Sequence, residues 1–156
     1  MLIRLVAAGT RMPDWVAAGF GEYAGRIGGE LRLELIEIPV AHRGRNADVA
    51  RLLDEEGRRM LARTDARHYV TALDVRGRAL DTPGLADWLR RRMADGRDVA
   101  LLVGGPDGLS AACRERADFT WSLSPLTFPH GLVRVMVAEQ LYRALSVIRG
   151  HPYHRA

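Results

Sequence analysis

Lysine is absent from this chain, and all 23 of its Lys and Arg positions are arginine. Without lysine there is no Walker P-loop, whose lysine must reach the phosphates, and no Schiff base to pyridoxal phosphate. Cysteine occurs once, at Cys113, so no internal disulfide forms and a reducing compartment, the cytoplasm, is expected. No stretch approaches the roughly 20 apolar residues of a membrane span. The short apolar segment at the N-terminus contains Arg4 and lacks a cleavage-type region, which argues against a signal peptide. There is no G-x-S-x-G elbow and no H-E-x-x-H, so hydrolase readings have little to stand on. G-x-G-x-x-G is missing too, which leaves dinucleotide binding unsupported. Repeats, low-complexity stretches and Ser- or Pro-rich linkers are likewise missing, so one domain over 1–156 is expected, with a short tail at 149–156.

A chain of 156 residues buries roughly 70% of its unfolded surface, enough for a real core. Its 47% hydrophobic and 27% charged residues are ordinary globular usage. The balance is basic, with a formal net charge of +4 and a pI near 10.0. Arginine suits bidentate phosphate contacts and stacking on bases, which points to nucleic acid. An arginine-only, alanine-rich composition also arises from biased codon usage, and composition does not separate the two.

Apolar patterning places strands at Ile3 to Ala8, at Leu31, Leu33 and Leu35 alternating with polar neighbours up to Pro39, and from His68 to Val75. Two more follow at Val99 to Val103 and Trp121 to Leu123. Between them run helices. The first opens near Pro13 and carries Val16, Phe20, Tyr23 and Ile27; the second, capped by Asn46, carries Val49, Leu52, Leu53, Met60 and Leu61. The third opens at Thr82 and Pro83 and ends at Gly96, a short fourth starts from a Ser110 cap, and a long last one runs from about Leu132 to Ile148. Alternation of this kind predicts an α/β domain, a mostly parallel sheet with helices on both faces. The last helix is apolar around most of its circumference and must be covered all round, either as a central core helix or by sheet on one side and a second subunit on the other.

Two segments are candidates for a ligand. Gly104-Gly105-Pro106-Asp107-Gly108 leaves a buried strand at its carboxyl end, where open α/β sheets bind ligands; it also reads as a plain glycine turn. Leu123, Ser124, Pro125, Leu126, Thr127 and Phe128 leave the next strand and offer backbone groups beside apolar surface, so the pair could cradle an adenine or a thioether. The tail His151-Pro152-Tyr153-His154-Arg155 gathers imidazole, phenol and guanidinium where no core requires them. A metal at His151 and His154 is weakly supported; a disordered end and stacking on an unstacked base are the other readings. His42, His68 and His130 stand alone and read as structural, and Arg134 with Glu139 reads as a pair or a cap on the last helix.

Taken together, these segments resemble the ribosomal large-subunit pseudouridine N(3)-methyltransferase H family of the SPOUT superfamily. The likeness covers nearly the whole chain. It rests on Leu-Val-Ala-Ala-Gly-Thr-Arg-Met-Pro-Asp-Trp at 5–15, Gly-Arg-Asn-Ala-Asp at 44–48, Leu73-Asp74, and Gly-Gly-Pro-Asp-Gly-Leu-Ser at 104–110. Further along it rests on Trp-Ser-Leu-Ser at 121–124, Pro129-His130, Leu-Val-Arg at 132–134 and His-Pro-Tyr-His-Arg at 151–155. The resemblance implies a C-terminal trefoil knot, a homodimer, and S-adenosyl-L-methionine held by Leu73, Gly104, Gly105 and residues 123–128, with no metal. It also implies large-subunit ribosomal RNA within the ribosome as partner. For the proton leaving the acceptor nitrogen, His154 is the expected base, with Tyr153 stacking and Arg155 on a phosphate or on the developing anion. Arg43, Arg45, Arg4 and Arg11 are candidate contacts to RNA. Alternatives are a knotted methyltransferase acting on tRNA and a non-catalytic RNA- or ribosome-binding factor on the same fold. Asp107 departs from the glutamate expected there, as does the divergent stretch from Ala62 to His68.

Overall fold

A computed structural model describes residues 1–155; residue 156, the end of the expected tail, lies outside the described residues. Five strands alternate with helices: β1 (Leu2–Ala8), α1 (Asp14–Arg26), β2 (Arg32–Ile38), α2 (Val49–Leu61) and β3 (Tyr69–Ala79). Next come α3 (Thr82–Asp95), β4 (Val99–Val103), α4 (Ala111–Arg116), β5 (Phe119–Ser122) and α5 (His130–Ile148), with a 3-10 turn at Pro152–Arg155.

All pairings are parallel and the order across the sheet is β2-β1-β4-β3-β5. Because side chains alternate along a strand, each of the inner strands feeds two cores. Ile3, Leu5, Ala7, Val99, Leu101 and Val103 face one layer, in which α1 and α3 flank α5. Val6, Ala100, Leu102, Val70 and Ala72 face the other, covered by α2 and α4. β4 is buried along its whole length, as expected of a strand covered on both faces and paired on both edges. Among the described residues no helix is long and apolar enough to cross a membrane.

Several local expectations are corrected. The cap of α2 is Asp48, whose carboxylate accepts from the Arg51 N–H at 3.2 Å, not Asn46. Asp48 stands one position before the first helical residue and so reaches the third helical N–H, as a capping side chain must. Pro13 is itself the residue before α1 rather than its first member. α3, by contrast, opens at Thr82 with Pro83 in its first turn, as expected, and is capped by Asp81, which accepts from Gly84 N–H at 2.8 Å. β5 starts and ends earlier than its apolar residues suggest, and α5 starts at His130.

β3 runs past Val75 to Ala79, with a register break in which both Leu73 and Arg78 pair opposite Trp121. Residues 74–77 therefore leave the ladder as a bulge, re-aiming the strand at its carboxyl end. α5 is buried or half-buried at every residue, the half-buried ones including Leu132, Val133, Val135 and Met136.

Candidate active site

At the carboxyl ends of β3, β4 and β5 lies a cavity of about 730 Å³. It is built by three chain segments leaving adjacent strands, where the ends of an open parallel sheet diverge and leave room.

The first segment is the turn after β4. Gly108 N–H donates to the Gly105 carbonyl at 3.0 Å, closing it, and Gly108 has φ of 80°, a conformation glycine adopts without strain. Gly104 is packed against that closure so tightly that a Cβ there would lie 2.3 Å from the Gly108 carbonyl carbon. The second segment joins β5 to α5. Ser122 Oγ donates to the Ser124 carbonyl at 3.2 Å and Ser124 Oγ accepts from Leu126 N–H at 3.0 Å, so short polar side chains fold this loop locally. The third is the β3 bulge. Asp74 accepts from Arg76 N–H at 2.9 Å and from Arg114 Nε at 3.0 Å, which ties the bulge to α4. Burial pushes the Asp74 carboxyl up, but these hydrogen bonds outweigh it and hold the group below the usual carboxylate range.

A guanidinium braces the glycine turn from outside. Arg43 Nε donates to Asp107 at 2.9 Å, while its Nη1 contacts Glu56 and donates to the Ala41 carbonyl at 2.9 Å. Glu56 is buried and Arg43 mostly so. The shorter Asp107 carboxylate thus reaches its partner without difficulty.

A family model described as "Predicted SPOUT methyltransferase" matches residues 1–154. The chain belongs to the SPOUT methyltransferase family. It is 62% identical, over all of both chains, to the ribosomal RNA large subunit methyltransferase H of Alkalilimnicola ehrlichii. Among solved structures it resembles a probable methylase family protein of Haemophilus influenzae, at 12% identity over 97% of this chain and 69% of that one, with a TM-score of 0.54. It also resembles a probable methyltransferase of Bordetella pertussis, at 20% identity over 92% of this chain and 95% of that one, again with a TM-score of 0.54. At such identities the two structures speak for the fold alone.

In this SPOUT chain the sequence-derived candidates fall as follows. Leu73, Gly104 and Gly105 line the cavity, as do Leu123, Ser124, Leu126, Thr127 and Phe128. Pro125 is exposed and does not line it. Sequence reasoning missed Val103, Trp121 and Val133, whose apolar surface floors the cavity, and the bulge residues Val75 and Arg76. Val103 ends one legible strand and Trp121 lies in another, so their position was a findable signal; the bulge has none. His130 also lines the cavity, from the first residue of α5.

Tyr153, His154 and Arg155 do not line this chain's cavity. Their turn docks on the distal half of α5: Tyr153 OH donates to Glu139 at 3.1 Å, its ring lies 4.6 Å from that of Tyr142, and Arg143 sits 5.0 Å from its centre. Burial, with hydrogen bonds to Tyr23 and Glu139, pushes the Tyr153 phenol up to about 12. His154 Nδ1 donates to the His151 carbonyl. From His130 at the cavity to Glu139 is nine residues of helix, about 13 Å along the axis.

Of the arginines expected on RNA, Arg43 is occupied by its two carboxylates, and Arg4 lies 2.8 Å from buried His68. Arg11 and Arg45 are exposed. Glu139 pairs with Arg143, and Arg134 pairs with Glu37 rather than with Glu139. Among the described residues no group of three His, Cys, Asp or Glu side chains converges.

Proposed function

We propose that this chain transfers a methyl group from S-adenosyl-L-methionine to N(3) of a pseudouridine in large-subunit ribosomal RNA, working as a cytoplasmic homodimer on the assembled ribosome. The observation that carries the reading is the convergence of the glycine turn and the 123–128 loop on one cavity, in a chain 62% identical to a ribosomal RNA large subunit methyltransferase H.

The cavity suits this methyl donor. Its volume of about 730 Å³ falls inside the ordinary range for small-molecule sites, roughly 300–1,000 Å³. Val103, Leu123, Phe128 and Val133 give it apolar walls for a thioether and an adenine, and Gly104 admits no side chain of its own. The Trp121 indole N–H, among the lining residues, is buried without an acceptor among the described residues, and a polar ligand atom would satisfy it.

Leu73, Gly104, Gly105 and residues 123–128 would hold the donor. When bound, S-adenosyl-L-methionine supplies an electrophilic methyl group on a sulfonium. The protein's share is then positioning and exclusion of water, worth several kcal/mol of barrier by proximity alone, roughly 7 or more in well-oriented cases. The acceptor nitrogen must lose its proton, and His154 is the group assigned to take it, with Tyr153 stacking and Arg155 on a phosphate or on the anion. With its phenol pushed up to about 12, Tyr153 stays protonated near neutral pH, which suits it to stacking rather than to accepting the proton.

The tail docks about 13 Å from His130 on its own chain, so the reading places at each cavity the tail of the second subunit, brought there by the half-buried face of α5. Threading of the C-terminal segment as a trefoil knot belongs to the same reading. Incubation of the protein and labelled S-adenosyl-L-methionine with ribosomes lacking the modification, followed by mass-spectrometric mapping, tests it. Label on a large-subunit pseudouridine is expected. Label on tRNA would move the reading to its runner-up, and RNA binding with no label anywhere would make the chain a non-catalytic factor.

A further inference from the structure

A second cleft, of about 230 Å³, lies between α3, the edge strand β5 and the extension of β3, and shares no lining residue with the methyl-donor cavity. Arg78, Arg91 and Arg92 surround it over a base of Tyr69, Trp88 and Phe119. The three rings pack in sequence, Tyr69 to Trp88 at 6.4 Å and Trp88 to Phe119 at 6.3 Å, so the base is rigid. The Arg92 guanidinium lies 3.9 Å from the centre of the Tyr69 ring, with Nη1 3.6 Å from Asp95.

Two donors on residues that line this cleft are buried and unpaired among the described residues: Trp88 Nε1, on a residue only 5% exposed, and Arg92 Nε. A buried N–H without an acceptor is costly and calls for an explanation. No carboxylate lines the cleft to supply one; Asp95, the partner of Arg92 at 3.6 Å, lies outside it. Among the described residues the lining therefore has donors and positive charge with no carboxylate opposite them and only the Tyr69 phenol as a neutral acceptor, the chemistry of an oxyanion site. Arg78 and Arg91 are exposed, with no ion-pair partner among the described residues.

We propose that this cleft binds phosphate, and that its occupant is a backbone phosphate of the RNA, gripped by Arg78, Arg91, Arg92 and the Trp88 indole at a distance from the methyl-transfer cavity. Guanidinium forks match phosphate and carboxylate oxygens alike; the basic balance of the chain and its proposed RNA substrate are what favour a phosphodiester over an acidic peptide. The source of the phosphate rests on the proposed RNA substrate; the chemistry of the cleft does not.

The test has two arms. In the first, inorganic phosphate is titrated into the full chain at constant ionic strength, and the indole N–H signals are followed by NMR, each assigned from a Trp→Phe variant. The Trp88 signal is expected to shift saturably while exposed Trp15 stays still, and the shift is expected to vanish in R78Q/R91Q. No saturable shift, an equal shift in the variant, or a shift with polyglutamate but none with phosphate would overturn the proposal.

In the second arm, R78Q/R91Q is expected to bind ribosomal RNA about tenfold more weakly than wild type, with the log–log salt slope reduced by about one. Its thermal midpoint and S-adenosyl-L-methionine affinity should match wild type, as should the RNA affinity of the control R63Q. Unchanged RNA affinity and slope would overturn the RNA as occupant. Failure of methyl transfer by the wild-type protein would instead strike at the proposed function, since the phosphate titration reports without it.

Discussion

Arg134 Nη1 lies 2.7 Å from Glu37 Oε2, and the same guanidinium donates through Nη2 to the Gly9 carbonyl at 2.7 Å. Arg134 is fully buried, whereas the Glu37 side chain is 38% exposed. One cation on α5 thus fastens the carboxyl ends of β1 and β2 beneath the helix. Removing it strands the Gly9 carbonyl and leaves a cavity, so Arg134→Ala is expected to cost about 3 kcal/mol or more in urea unfolding. Glu37→Gln keeps an acceptor but takes away the carboxylate facing a buried cation, so it should cost about 1–2 kcal/mol, less than Arg134→Ala. Equal costs for the two would refute this asymmetry.

Gly104 and Gly105 should differ as sharply as their surroundings do. A Cβ at Gly105 would meet Ala8 and Val40 side chains at ordinary contact distances of 3.6 and 3.8 Å, while one at Gly104 would collide with backbone at 2.3 Å. Gly105→Ala is expected to fold and bind S-adenosyl-L-methionine within about tenfold of wild type, because only a methyl is added at the cavity edge. Gly104→Ala should lose calorimetrically detectable binding.

Arg43, Glu56 and Asp107 form a unit that a double-mutant cycle can read. Arg43→Ala leaves buried Glu56 uncompensated, with an expected loss of about 3 kcal/mol; Arg43→Ala combined with Glu56→Leu should recover much of it. Asp107→Glu keeps the carboxylate and is expected to retain stability and donor binding. Strict additivity in the cycle would show that the pair is not coupled.

Tyr153 carries a pH signature. Its phenol is raised from 10.0 to about 12 in the folded chain, so the unfolded chain releases that proton first. The contribution to stability is therefore whole below pH 10 and declines as pH climbs from 10 to about 12. Absorbance titration should find one tyrosine ionising near pH 12, and Glu139→Gln should bring it down, since a charged acceptor of its proton is lost. A normal midpoint for Tyr153 in the wild type would contradict the docking of the tail.

His154→Ala is expected to leave S-adenosyl-L-methionine affinity unchanged and to reduce turnover by roughly 10²-fold or more, the usual worth of a positioned base. Equal activity of wild type and variant would remove His154 from the assignment.

Much of this architecture was readable because it is local. Val99–Val103 is an unbroken apolar run bounded by Asp98 and Gly104, and Ser110 caps α4 through a 3.3 Å bond from Cys113 N–H, within one helical turn. Asn46 and Asp48 are equally good caps by type, and only the helix start chose between them. Relationships spanning many residues had no local trace. Arg134 with Glu37 and Arg43 with Asp107 are decided by which strand lies beside which, and the tail's docking by where α5 points. The cavity was legible as two loops leaving neighbouring strands; the bulge that forms its third wall was not, because Asp74 and Val75 read as the plain end of a strand and nothing marked Arg76 and Gly77 as its continuation.

That interruption in β3 has a mechanical side. Residues 74–77 have no ladder partners on β5 and are held instead by the Asp74 side chain, whereas the pairing of β1, β4 and the first half of β3 is continuous. Amide hydrogens there should exchange with deuterium far sooner than those of Val99–Val103, with slowing only when the cavity is filled. A ligand that fills the cavity would lie against the least-paired stretch of β3.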